Sequence, residues 1–278
     1  MLTYGGLKMG ELDGKVAIVT GAGRLRGIGR AAAVELARLG ADVVVTGTGR
    51  NPDTFPEDEK AIGWMDIESV ADQIRGHGRK ALTSIVDVAN SSNVQNMVNQ
   101  TISQFGRIDI LINNAAFARG IDRVPVLDLE EDVFQKVLDI KLKGTFLSTK
   151  AVLKYMIDQG DGGKIVNISS TAGKRGSANT LAYNAANFGI VGMTQSMARE
   201  FGKFGINVNA VCPGAVDTHR MDMLGRGQEW ETMASNTPIG RNGTDDETGA
   251  FCVYLCTEAA SWIHGQSINI NGGTVMEH

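Results

Sequence analysis

Short β-branched runs alternating with segments of helical length constrain this chain more than any other feature. The runs are KVAIVT (15–20), DVVVT (42–46), KALTSIV (80–86), IDILIN (108–113), GKIVNIS (163–169), INVNAVC (206–212) and QSINI (266–270). Between them, apolar periodicity predicts helices over 27–39, 67–77, 91–105, about 130–158, about 180–203 and 245–258. A buried strand, ten or more helical residues and another buried strand make a βαβ unit, and successive units build a parallel sheet covered on both faces. The expected fold class is therefore α/β: a doubly wound parallel sheet of the Rossmann type with about seven strands. No repeat, low-complexity tract or linker divides the chain. Residues 14–278 are expected to form one domain behind a loose leader, 1–13.

Composition removes several function classes. The net charge of −4, with Lys and Arg scattered among acids, leaves no basic stripe for nucleic acid. No apolar run approaches the roughly 18 residues a bilayer span needs. The opening MLTYGGLKMGELDGK lacks the apolar core of a signal peptide. A cytoplasmic protein is expected, with neither membrane nor nucleic acid as partner. Cys252 and Cys256 lie four apart on a predicted helix without a nearby His, so buried thiols are expected for them and Cys212, and no metal site.

The first strand runs into TGAGRLRGIG (20–29) and then a helix, which is where a dinucleotide-binding sheet holds a pyrophosphate. Glycine lets the backbone approach the phosphates, and the helix N-terminus offers free N–H groups and a favourable dipole. Gly23, Gly27 and Gly29 are spaced G-x-x-x-G-x-G, and Thr20-Gly21 precedes them with two residues more than usual. The turn before Gly27-Ile28-Gly29 is expected to bulge.

Further segments, in order, resemble the short-chain dehydrogenase/reductase family: Asp87-Val88, NNAA (113–116), NISS (167–170), Tyr183, PGAVDT (213–218) and NGG (271–273). The resemblance covers the chain from about residue 12. It implies a nicotinamide cofactor held by Gly21, Gly27, Ile28 and Gly29, with Asp87 and Val88 at the adenine and Asn114 and Ala115 beside the ribose. Pro213, Gly214, Val216 and Thr218 would wrap the nicotinamide end. It also implies that Ser170 orients a substrate carbonyl and that Tyr183 is the acid in ketone reduction and the base in alcohol oxidation. A tyrosine, with an ordinary pKa of about 10, does this best beside a cation.

Two departures from the family pattern stand out. The lysine expected four residues after the tyrosine is replaced by Asn187, and the asparagine expected in the preceding long helix is replaced by Lys141. The expectation is an exchange of roles: Lys141 lowers the Tyr183 pKa while Asn187 hydrogen-bonds the nicotinamide ribose. Val137, Gly144, Thr145 and Ser148, its helical neighbours, form an uncharged face suited to an active-site wall. The second departure is a long 47–64 segment after the second strand, which could lie over the adenosine or meet a neighbouring subunit. No carboxylate follows that strand before Asp53, while Arg26, Thr48 and Arg50 could surround a ribose 2′-phosphate, which favours NADP over NAD.

The function expected is NAD(P)-dependent interconversion of a ketone and a secondary alcohol. Residues 219–242 would form the substrate lid, whose Met, Leu and Trp suit an apolar ketone and whose arginines suit an anionic one. One alternative is a non-catalytic dinucleotide-binding sensor or scaffold. Another, an epimerase or dehydratase, usually needs a larger C-terminal region. The helices at 130–158 and 180–203 are apolar on more than one side, so a homotetramer or homodimer is expected.

Overall fold

A computed structural model of the chain describes residues 3–4 and 7–277. At its centre is a seven-stranded sheet with every neighbouring pair parallel. The strands are β1 (Val16–Val19), β2 (Asp42–Gly47), β3 (Ala81–Ile85), β4 (Ile110–Asn113), β5 (Gly163–Ile168), β6 (Ile206–Pro213) and β7 (Ser267–Ile270). Their spatial order is β3-β2-β1-β4-β5-β6-β7. Ile18 pairs with Val44 on one side and Leu111 on the other, so the most apolar runs take the centre.

The helices are α1 (Ile28–Arg38), α2 (Ile67–Gly76), α3 (Ser91–Phe105), α4 (Glu131–Leu138), α5 (Gly144–Gln159), α6 (Leu181–Phe201), α7 (Gln228–Ser235) and α8 (Asp245–Tyr254). Leu36, Ile74 and Cys252 carry α1, α2 and α8 into the core on one face of the sheet. Met97, Met156 and Ala198 do the same for α3, α5 and α6 on the other. Strands that alternate sides must bury both faces, which is why they read as continuous apolar runs rather than alternating ones. Helices α1 and α8 touch through Gly249, where a Cβ would come within 2.7 Å of the Ala31 Cβ. The strand order reverses between β1 and β4, and in such sheets the crevice at that point is the ligand site.

Three details differ from the expectation. The helix expected over 130–158 is interrupted by a π-turn, Asp139–Lys143, between α4 and α5. A one-residue bulge leaves a 3.6-residue pattern almost unchanged, so periodicity does not reveal it. The leader is anchored at its end, because Leu12 is buried and its N–H donates to the Leu39 carbonyl at 2.9 Å. The helix expected over 245–258 ends at Tyr254, and residues Glu258–Ala260 form a 3-10 turn.

Candidate active site

The glycine turn and the enlarged segment after β2 fold as partners. That segment holds a 3-10 turn, Pro52–Thr54, and a short helix, Glu57–Ala61. The buried Glu59 carboxylate accepts the Leu25 N–H at 2.9 Å, and the Trp64 indole donates to the Gly23 carbonyl at 2.7 Å. Arg50 donates to the same carbonyl at 3.0 Å. Asp66 lies so close beneath the turn that a Cβ at Gly23 would sit 1.7 Å from its Oδ1. The extra residues in the turn expose backbone groups, and the insertion satisfies them, as buried polar groups require.

The insertion also changes the reading of the arginines. Both guanidiniums expected around a 2′-phosphate are paired with carboxylates. Arg50 pairs with Glu59 at 2.8 Å and Asp66 at 2.9 Å. Arg26 pairs with Asp58 at 2.8 Å and with Asp222 of the lid at 2.6 Å, and it reaches Asp217 at 3.3 Å. The Asp222 hydrogen bonds hold the Arg26 guanidinium well above its ordinary value. Sequence reasoning stopped at Asp53 and so missed Asp66, which the chain returns to the glycine turn only after the insertion. Asp66 adopts a left-handed φ of 55°, and its buried Oδ2 has no hydrogen-bond partner. A strained non-glycine residue with an orphaned carboxylate oxygen is expected where a ligand completes the arrangement.

Beside this turn runs a cleft of about 530 Å³, lined by Gly21, Arg26, Gly27, Ile28, Gly29, Thr48, Arg50, Asp87, Val88, Asn114, Ala115 and Thr218 of the expected cofactor set. Helix α1 opens onto it with no side-chain cap and no acid in its first turn, although the Gly27 N–H itself donates to Asp245. A Cβ at Gly29 would meet Asn114 Nδ2 at 2.5 Å, so only glycine fits there. Asn114 straps the two central strands together, its Nδ2 donating to the carbonyls of Thr20 at 3.0 Å and Gly21 at 2.8 Å. Asp87 is exposed to the cleft, while Val88 is buried against Gly144. A helix N-terminus without a side-chain cap, a glycine-only approach and the carboxylates of Asp66 and Asp87 in the lining suit a dinucleotide. Pro213 pairs with Ile270 at the end of the sheet, where a Cβ at Gly214 would strike Asn271, and Val216 is buried beside Gly243.

Ser170, which is not among the residues that line this cleft, begins a 3-10 turn, and its Oγ accepts the Ala172 N–H at 3.1 Å. Tyr183 lies half-buried in the first turn of α6. Asn184 ties the turn that Ser170 begins to α6, since its Nδ2 donates to the carbonyls of Ala172 at 2.7 Å and Arg175 at 2.9 Å. Beneath them, Asn113 donates to Thr149 and Asn167, and Asn167 donates to Thr194, all four side chains being buried. A fully satisfied polar chain of this kind fixes the strand ends that carry the site.

Lys141 is not a surface charge. It is 3% exposed within the π-turn, which packs against α6. Among the described residues its ammonium has no hydrogen-bond partner, and no hydrogen bond links it to Tyr183. Burial, reinforced by Arg220, pushes its pKa down to about 7, with the Cys212 thiol opposing. Asn187 is fully buried, its Nδ2 donates back to the Tyr183 carbonyl at 2.8 Å, its Oδ1 is unpartnered, and it is not among the residues that line the cleft. The three cysteines are free and buried, and burial raises the Cys256 thiol to about 12.

Two arginines stand over Tyr183: Arg220, one of the lid arginines expected to suit an anionic ketone, and Arg123, which sequence reasoning did not single out. The Arg123 guanidinium lies 3.9 Å from the ring centroid and that of Arg220 lies 5.1 Å away. Arg123 arrives on the loop after β4, and Arg220 on the 3-10 turn that opens the lid, His219–Leu224. No local pattern places both over one ring, because that depends on chain segments meeting across the cleft.

Residues 21–275 match the family model described as enoyl-(acyl carrier protein) reductase. The chain is 36% identical over 269 residues to a 3-oxoacyl-[acyl-carrier-protein] reductase of Synechocystis, covering 96% of this chain and all of that one. It is 34% identical to galactitol 2-dehydrogenase of Agrobacterium fabrum, with 96% and 99% covered. A double mutant of a Serratia marcescens short-chain dehydrogenase/reductase superimposes with a TM-score of 0.82 at 33% identity, covering 95% of this chain and 99% of that one. With the sheet order and the glycine turn in place, the chain belongs to the short-chain dehydrogenase/reductase family of oxidoreductases.

Proposed function

We propose that this protein interconverts a ketone and a secondary alcohol, with Tyr183 as acid and base and Lys141 as the cation that favours its phenolate. The observation that carries the reading is the burial of Lys141 in a π-turn packed on the helix that bears Tyr183. Burying a lysine without a partner is costly, and such groups concentrate where a reaction uses them. When bound, the nicotinamide supplies or takes up the hydride. Ser170 Oγ would hold the carbonyl oxygen, Tyr183 would give or take its proton, and Asn184 would keep the two at a fixed separation. Asn187 supports this end from within the helix rather than as a ligand contact.

For the cofactor we favour NAD, reversing the preference drawn from Arg26 and Arg50. Both arginines are already matched to carboxylates, and Asp66 offers a free oxygen suited to a ribose 2′-hydroxyl. Exposed Phe146 on α5 and Phe188 on α6 support a homodimer or homotetramer formed across these helices. The first test is oxidation of NADH and NADPH with a panel of ketones, using the protein and its Tyr183→Phe variant. Turnover lost in the variant is the expected result. An absence of turnover with cofactor still bound would favour the sensor or scaffold reading.

A further inference from the structure

The arginines over Tyr183 have a purpose that the hydride-transfer reading, on which this inference rests, leaves unused. Ketone reduction at Tyr183 and Ser170 needs at most one nearby cation. Here Arg119 and Arg220 bear on the charge of Arg123, and Arg220 bears on that of Lys141. The carboxylate among them is Asp122, fully buried, which accepts the Gly120 N–H at 3.0 Å and pairs with Arg123 at 3.2 Å. The nearby lid carboxylates, Asp217 and Asp222, are engaged by Arg26 and Arg226.

The hydrogen-bonding of Arg220 is also incomplete. Arg220 Nη2 is buried with no hydrogen-bond partner, although Arg220 Nη1 donates to the Phe117 carbonyl, while Arg123 turns its Nε to the Asp122 carboxylate at 3.2 Å. A guanidinium stacked on a ring keeps its N–H edge free for a planar acceptor. A buried N–H group left open on Arg220, beside a second guanidinium over the same ring and in a region of excess positive charge, suits an anion.

From this we infer that the substrate carries a carboxylate, held between Arg123 and Arg220 and only a few bonds from its ketone or alcohol carbon. The substrate class is an oxo acid and its hydroxy acid. In reduction the ketone carbon gains a hydride from the reduced nicotinamide, and its oxygen gains the Tyr183 proton, which solvent then restores. The carboxylate is unchanged, so oxo acid, reduced cofactor and one proton give hydroxy acid and oxidised cofactor. The anion would also relieve the repulsion between Arg220 and Lys141, keeping Lys141 charged while substrate is bound.

The test compares 2-oxo and 3-oxo acids with their methyl esters, which keep the ketone and remove the charge. The acids are expected to exceed the esters in kcat/KM by roughly tenfold or more, with the gain mostly in KM. Arg123→Met and Arg220→Met should each collapse that ratio, and Arg220→Lys should restore part of it. Esters matching the acids, or a ratio that survives both methionine variants, would overturn the inference. A calorimetric titration of oxamate into the cofactor-bound protein separates this from the activity itself. Oxamate binding that is lost in both methionine variants upholds the carboxylate site even if no ketone turns over, a result that would instead sink the oxidoreductase reading. If no oxo acid is preferred and oxamate does not bind, the site is not a carboxylate receptor.

Discussion

Lys141 and Asn187 show how far a residue's type and its surroundings must be read together. The exchange of the two residue types was visible in the sequence, and so was the uncharged face around Lys141. Val137, Thr145 and Ser148 are indeed buried beside it. The inward turn of Asn187 was not visible, because an i−4 side-chain bond depends on a rotamer rather than a pattern. The buried lysine has a consequence for stability. In the folded chain its pKa is about 7, against an ordinary value of 10.5. Between these pH values the unfolded chain holds a proton that the folded chain does not, so stability rises with pH across the window. Below pH 7 the penalty is at its full extent, and above 10.5 it vanishes. Lys141→Met should therefore stabilise the fold at neutral pH, by at most about 5 kcal/mol. The gain should fade as pH rises from 7 toward 10.5. Denaturant unfolding of both proteins across that range checks this, and a variant less stable than the parent at pH 7 would contradict it. Asn184→Ala removes two donors that tie the Ser170 turn to α6 and should cost about 1–3 kcal/mol. It should also lower kcat more than it raises KM, read from steady-state kinetics.

At the scale of elements, the glycine turn and the insertion form one structure divided by the second strand. Both irregularities were legible in the sequence, namely two extra residues before Gly27 and an overlong segment after β2. Their partnership was not, because Glu59, Trp64 and Asp66 meet Gly23 and Leu25 only through tertiary contact. This is also why local charge alone favoured NADP: the arginines were counted without the carboxylates that pair with them. Asp66→Ala removes an orphaned acceptor and releases Arg50 from one of its two carboxylates. It should weaken NAD binding by about 1–3 kcal/mol and improve NADP relative to NAD. Fluorescence titration of both cofactors decides the matter, and unchanged relative affinities would remove Asp66 from the ribose site. Trp64→Phe leaves the buried Gly23 carbonyl with Arg50 alone and should cost about 1 kcal/mol in thermal stability. The π-turn at Asp139–Lys143 belongs to this scale too. It breaks a helix whose two halves read as continuous, and it does so at the buried Lys141.

For the whole molecule, strand number, parallel topology and the place of the cleft followed from alternating runs and one glycine turn, since βαβ units admit few arrangements. Assembly is less constrained by sequence, because apolar helix faces may be covered by the chain itself or by a copy. Part of the apolar surface of α5 and α6 is covered within the chain, as where Leu142 of the π-turn packs on Gly189. Phe146 and Phe188 remain 46% exposed. Sedimentation at micromolar concentration should show a dimer or tetramer, and Phe188→Glu should shift the distribution to smaller species. A single species at the chain mass of 29.6 kDa would contradict the assembly.

The measurement that bears most directly on the central claim, that Lys141 serves Tyr183, is the pH dependence of alcohol oxidation. It is made with the cofactor-saturated enzyme and its Lys141→Met variant, both shown to be folded. A cation about 4 Å from a phenolate at an effective dielectric near 20 is worth at most about 4 kcal/mol. The account predicts that oxidation in the variant switches on at least about one pH unit higher, with turnover at neutral pH reduced on the order of a hundredfold. Superimposable pH–rate profiles for the two proteins would contradict it.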